Sequence, residues 1–241
     1  MKTSNPEKSA AYTISWHLVK PHTEKKFNAF ENESELSEGD FVVKIWRPIL
    51  EVLFSKASVV LHCGDTLSQL AQEGKMAHRR MDFRFLFSSG SSNDVGDAEF
   101  GKKACVTKLY YDKEKSMING KAQLNEIASI YSLDACDIRL CLVQILGFET
   151  VVYEMFSERK GVYALRKAKE FSAPISARGI RNDSEEFFEG LLTRSIVIEP
   201  SVIYHGSLKK KGRMSRVAYD NKPASVTRMP PSMATVVFYV E

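Results

Sequence analysis

The chain predicts a mixed α/β protein, α+β in type, with a small mixed β-sheet flanked by helices. Three observations predict this. Val42, Ile45, Trp46, Ile49, Leu50, Leu53 and Phe54 recur at helical spacing. Met81, Phe83, Phe85 and Phe87 alternate with Asp82, Arg84 and Leu86, the period of a strand. Ile138 to Leu146 is a near-continuous apolar run, as a buried strand requires. The resulting order of helix, strand, second strand, helix, strand hairpin and helix suits one sheet covered by helices.

The 241 residues leave room for one large domain or two small ones, and 44% hydrophobic with 27% charged residues is an ordinary globular composition. The four cysteines form no C-x-x-C pair and have no zinc spacing with the five histidines, so free thiols in a reducing compartment are expected. The N-terminus lacks an apolar secretory core. No apolar run approaches the ~20 residues of a membrane span. These features predict an intracellular protein, cytoplasmic or nuclear, with no membrane partner. A net charge of +4 is compatible with nucleic acid without requiring it.

Taken in order, residues 1–37 read as an N-terminal arm and acidic linker. Tyr12 to Val19 alternates like a strand, and Glu31, Glu33 and Glu35 make the rest polar. Residues 38–205 form the α/β domain. Asp40 is positioned to cap the first helix, and Pro48 should kink or break it near Arg47. Ser58 to His62 suits a short strand. Gly64-Asp65-Thr66 suits a turn that starts a helix over Leu67 to Glu73. Residues 80–87 are a strand, Ser88 to Val95 a loop, and 97–102 a second strand or a first helical turn. Ala104 to Tyr131 leans helical, with Met117, Leu124, Ile127, Ala128 and Tyr131 on one face; Asn119-Gly120 interrupts it and is a place to split it.

After the run at 138–146, Thr150 to Phe156 and Gly161 to Leu165 form a hairpin, and Phe171 to Pro174 ends the sheet. Asp183-Ser184-Glu185-Glu186 resembles a capping box that opens a helix through Leu192. Residues 206–241 read as a basic, weakly ordered tail carrying Lys209, Lys210 and Lys211, a cluster suited to phosphate contact or nuclear import.

Chemistry concentrates between residues 78 and 112. Asp82 is an acid on a strand. Glu99 is a second acid, followed by Lys102 and Lys103, with Asp97 on its own strand face. Two carboxylates offer the hard oxygens that Mg²⁺ prefers, and a lysine beside them can stabilise charge on a phosphate or orient a water. Lys103, Lys108, Lys113 and Lys115, with Tyr110 and Tyr111, add cations and aromatic rings suited to nucleic acid. A purely structural reading pairs Asp82 with Arg84 on an exposed face, and Glu99 with Lys102 or Lys103 along a helix.

In these residues and this element order the chain resembles the PD-(D/E)XK nuclease superfamily over roughly residues 38–172. The resemblance implies a restriction-endonuclease-like αβββαβ core. It implies Mg²⁺ held by Asp82 and Glu99, a lysine (Lys102) beside the attacking water, and hydrolysis of nucleic acid. It also implies a glutamate from the first helix, Glu38 or Glu51, and a glutamine for which Gln144 stands. The family has one residue between acid and lysine, whereas Phe100 and Gly101 both intervene here. A bulge at Gly101 would bring Lys102 around; otherwise Lys103 shares the Glu99 face, or Lys108 reaches in from the helix. The chain is also similar to an expanded group of uncharacterised fungal proteins with the same Glu-x-x-Lys arrangement, from which no activity carries over. The alternative is a catalytically inactive nuclease-like module that binds nucleic acid or protein.

Overall fold

The computed structural model describes residues 6–24, 33–55, 59–67, 79–87, 94–103, 105–192 and 235–238. Helix α1 (Pro6–Thr23) comes first, where a strand was expected over Tyr12 to Val19. Its buried residues, Ile14 and Leu18, are four apart and pack toward the next helical segment. That spacing is helical, so one apolar stripe decides the element.

The next segment is α2 (Glu38–Phe41), a π-helical turn over Val42–Trp46, and α3 (Arg47–Phe54). Ser37, not Asp40, is the N-cap. Its hydroxyl accepts from the Asp40 amide at 3.1 Å, while the Asp40 carboxylate accepts from the Ser37 amide at 2.9 Å, a reciprocal capping box. Pro48 sits in the first turn of α3, where its missing N–H is not needed, and the predicted break takes the form of the π turn just before it.

Among the described residues seven strands follow in one sheet, in the spatial order of the sequence. They are β1 (Val59–Thr66), β2 (Met81–Phe87), β3 (Asp94–Gly101), β4 (Arg139–Leu146), β5 (Glu149–Arg159), β6 (Val162–Ser172) and β7 (Thr235–Phe238). β1, β2 and β3 are antiparallel neighbours, as are β4, β5 and β6; β3–β4 and β6–β7 are parallel. A parallel pair needs a crossover, and the helix α4 (Val106–Tyr131) makes it between β3 and β4. Two short helices, α5 (Ala177–Asn182) and α6 (Ser184–Leu191), follow β6.

Several local expectations change. Gly64, Asp65 and Thr66 belong to β1, where an irregularity between Cys63 and Thr66 and a φ of +119° at Gly64 absorb the bend. The helix expected over Leu67 to Glu73 falls, from residue 68 on, outside the described residues. Asn119-Gly120 does not split α4. Asn119 instead clamps the backbone of Arg79, accepting from its N–H at 3.0 Å and donating to its carbonyl at 3.1 Å. Asp183 forms no capping box, because its backbone closes α5 with φ −112°, ψ 0° rather than taking the extended form a box needs. In the region expected to be a weakly ordered tail, β7 pairs with β6; Lys209, Lys210 and Lys211 lie outside the described residues.

The sheet has two unlike faces. Met81, Phe83, Phe85 and Phe87 are buried, and the rings of Phe83 and Phe100 lie 4.9 Å apart. Phe54 of α3 meets Phe85 at 5.1 Å, and the Trp46 indole donates to the Gly147 carbonyl at 2.8 Å, so α3 and the π turn cover the aromatic face. The opposite face of β2, β3 and β4 carries Asp82, Glu99 and Gln144, and α4 lies over it. Among the described residues no helix is long and apolar enough to cross a membrane.

Candidate functional site

Every residue of β3 is buried, yet the strand holds Asp94, Asp97 and Glu99. Burying charge is costly, and a sequence breaks that rule chiefly where function requires it. Asp94 is neutralised by Arg84, whose Nε and Nη2 donate to its two carboxylate oxygens at 2.7 and 3.0 Å. Arg84 therefore serves Asp94, and the exposed Asp82–Arg84 pair of the structural reading does not form.

The register builds the rest. Phe83 lies opposite Ala98 and Arg84 opposite Asp97, which sets Asp82 beside Glu99; Glu99 lies in turn beside Gln144 of β4. The three side chains form a row across three strands, with neighbouring backbones about 4.8 Å apart. Asp82 Oδ2 accepts from the Phe100 amide at 2.8 Å, which fixes the carboxylate at the edge of the row. Gln144 donates through Nε2 to the Leu109 carbonyl at 3.1 Å, and its Oε1 is buried with no donor.

Helix α4 brings the cations. Lys115 pairs with Glu99 Oε2, while Glu99 Oε1 has no hydrogen-bond partner. Lys108 lies 3.3 Å from Glu38 Oε2 and 3.6 Å from Asp112 Oδ2. Lys108, Asp112 and Lys115 fall at i, i+4 and i+7, one stripe of the helix. Glu38 is thus the first-helix glutamate that joins the cluster; Glu51 is engaged with Arg47 at 2.7 Å.

Lys102 does not take its expected place. Gly101 stays in register opposite Leu146, so no bulge turns the next residue toward Glu99, and Lys102 Nζ donates to the Ser34 carbonyl at 3.0 Å. Lys103 is exposed and lines, with Lys102, Phe148, Glu149 and Glu170, a separate cavity of about 710 Å³ whose lining includes neither Asp82 nor Glu99. The sequence placed Lys115 only among nucleic-acid contacts; its helical phase relative to Lys108 and Asp112 was the available signal.

The electrostatics follow from burial. Burial raises the pKa of Glu99, the Asp97 and Asp82 carboxylates raise it further, and Lys115 opposes them. Asp97 is raised for the same first reason, with Ser116 the main counterweight. Asp112 is raised by burial against the pull of Lys108 and Lys115. For Lys108 and Lys115 burial acts downward, but the surrounding carboxylates outweigh it and both ammonium groups are held protonated.

Such a site favours protons or a further cation. Among the described residues no three His, Cys, Asp or Glu side chains converge as a ready cage. The row offers instead two carboxylates and the unpartnered Gln144 Oε1, a sparse set of hard oxygens. That fits Mg²⁺, which keeps several waters, better than a soft or cage-demanding metal. Comparison with known proteins finds no matching family model, no matching curated protein and no matching solved structure.

Proposed function

We propose that the chain is a Mg²⁺-dependent phosphodiesterase acting on nucleic acid, with a PD-(D/E)XK-like site. The observation that carries this reading is the row of Asp82, Glu99 and Gln144 on the helix-covered face of the sheet. Its carboxylates are concentrated where a structural role alone would have placed apolar side chains. The order α3, β1, β2, β3, α4, β4, with β3 and β4 parallel, supports a restriction-endonuclease-like core.

In this reading Asp82 and Glu99 hold the ion. A bound Mg²⁺ supplies Lewis-acid stabilisation of phosphate charge and lowers the pKa of a bound water. The chain does the rest. The Phe100 amide fixes Asp82, Lys115 pairs with Glu99 and opposes the rise in its pKa, and the Leu109 carbonyl orients Gln144. At the start of α4, Tyr110 and Tyr111 are exposed and the Arg79 guanidinium lies 5.0 Å from the Tyr111 ring centre. With Lys103 and Lys108 they supply cations and rings for a nucleic-acid strand.

A second reading has its own observation. The Lys115 ammonium already sits on Glu99, so an internal cation can replace the metal and leave an inactive binding module. Calorimetric titration of Mg²⁺ and Mn²⁺ into wild type and Asp82→Ala, with cleavage of single-stranded and duplex DNA and RNA, separates the two. Metal binding lost in Asp82→Ala, together with metal-dependent cutting by wild type, is the expected result. Neither binding nor cutting, with oligonucleotide affinity that falls steeply with salt, would establish the inactive module instead.

A further inference from the structure

The cavity of about 710 Å³ has no part in the chemistry of the Asp82–Glu99 row. It lies at the carboxyl ends of the parallel strands β3 and β4. Gly101 and Leu146 close that ladder, and Lys102, Lys103 and Leu146 enter the lining. The crevice beyond the carboxyl ends of parallel strands is where open α/β sheets take their ligands. The volume also falls within the roughly 300–1,000 Å³ of ligand sites.

Two walls give the cavity its sign. Glu149 and Glu170 come from the adjoining ends of β5 and β6, and Asp183 and Glu186 from the α5–α6 turn and from α6. All four are exposed. Among the described residues only Glu170 of the four has an ion pair, with Lys167 at 3.1 Å. Lys102 does not neutralise them, because its ammonium donates to the Ser34 carbonyl. In a chain of net charge +4 this is a local reversal of sign, and it repels a nucleic-acid strand. The floor between the walls is apolar. Phe148 and Phe171 are buried beneath it, and Ile175 is 44% exposed at its rim. Carboxylates around an apolar floor complement lysine and arginine, which lay their methylene stems on apolar surface and keep the charged head free to pair.

We propose that this cavity docks a lysine- and arginine-rich segment of a partner protein, its cations meeting Glu149, Asp183 and Glu186 and its stems lying over Phe148, Phe171 and Ile175. The site is separate from the metal row, so it stands or falls independently of the function proposed above.

The test is fluorescence anisotropy with an end-blocked, labelled peptide of alternating arginine and alanine, at about 150 mM salt. A matching glutamate–alanine peptide and a single-stranded oligonucleotide are run beside it. Wild type is expected to bind the arginine peptide saturably and the glutamate peptide not at all. Glu149→Gln/Glu186→Gln should raise the Kd about ten-fold, the loss of two exposed ion pairs. Glu185→Gln/Glu189→Gln removes the same charge from α6 at positions outside the lining and should shift it by less than about three-fold. Ile175→Lys, at an exposed position, sets a competing cation in the cavity and should weaken binding while leaving the thermal melt unchanged.

The absence of saturable binding below about 1 mM overturns the proposal. So does an equal loss in the two glutamine pairs, which would mean diffuse attraction. Oligonucleotide binding that depends on Glu149 and Glu186 would give the cavity to nucleic acid instead. Lys209→Ala/Lys210→Ala/Lys211→Ala decides the source of the cations. Unchanged peptide affinity supports a partner, whereas affinity about ten-fold tighter would assign the cavity to this chain's own basic cluster and overturn the partner assignment.

Discussion

Lys115 and Glu99 form an ion pair between the middle of α4 and the centre of the sheet, with 13% and 1% of their side chains exposed. Both groups have been taken out of water, and their pairing offsets part of the cost of burying them. Removing one partner strands the second, which costs about 3–5 kcal/mol for a buried pair. Lys115→Met should therefore lower the urea midpoint sharply. Glu99→Gln/Lys115→Met should recover most of the loss, because no uncompensated charge remains. Equal stability of Lys115→Met and wild type would show that Glu99 is already neutral.

Asp97 sets a pH dependence. Burial raises its carboxyl to about 8, far above the usual range. The native state then binds the proton more tightly than the unfolded chain does. By linkage, the stability tied to that proton is complete below the unfolded value near 4 and declines as pH climbs toward the native value. Without added metal, the melting temperature should fall between pH 5 and about 8. Asp97→Asn carries no titrating proton, so it should flatten this dependence and melt higher than wild type at the alkaline end. A wild-type melting temperature that rises over this interval would refute the assignment.

Gly96 tests the β3–β4 ladder that aligns Glu99 with Gln144. A Cβ there would lie 2.4 Å from the Cys141 carbonyl oxygen and 2.9 Å from Phe85 Cδ2. The first neighbour is backbone and cannot swing aside. Gly96→Ala should cost about 1–3 kcal/mol or more and weaken Mg²⁺ binding by displacing the row. Gly39→Ala is the control. Its Cβ meets only Ser37 Oγ at 3.8 Å, and alanine in a helix is favourable by up to about 1 kcal/mol. Thermal melts and metal titration of both variants give the comparison.

The sequence made the sheet legible where burial followed one period. The alternation at 81–87 and the apolar run at 138–146 both became strands, β2 and β4. It misled at α1 for a physical reason. Tyr12, Ile14, Trp16 and Leu18 are all apolar at alternate positions, which mimics a strand, but the structure buries only Ile14 and Leu18 and leaves Tyr12 75% and Trp16 54% exposed. In the site, Asp82 stood out as an acid on a strand and Glu99 as an acid followed by lysines, while Gln144 entered only through the family resemblance. The lysines did not, because Lys102, Lys103, Lys108, Lys113 and Lys115 are alike in one dimension. Only the phase of α4 and the register of β3 sort them.

That contrast within α1 gives a direct experiment. Leu18 is 1% exposed and packs in the core with Ile14, so Leu18→Ala removes buried methyl groups and leaves a cavity, at about 2–5 kcal/mol. Trp16 is larger but mostly in water, so Trp16→Ala should change stability by no more than about 0.5 kcal/mol. Urea unfolding of the two variants reads the difference. A costly Trp16→Ala beside a neutral Leu18→Ala would mean that the N-terminal segment does not dock through the Ile14–Leu18 stripe. The expected order, with the smaller residue carrying the larger cost, follows from burial and not from side-chain size.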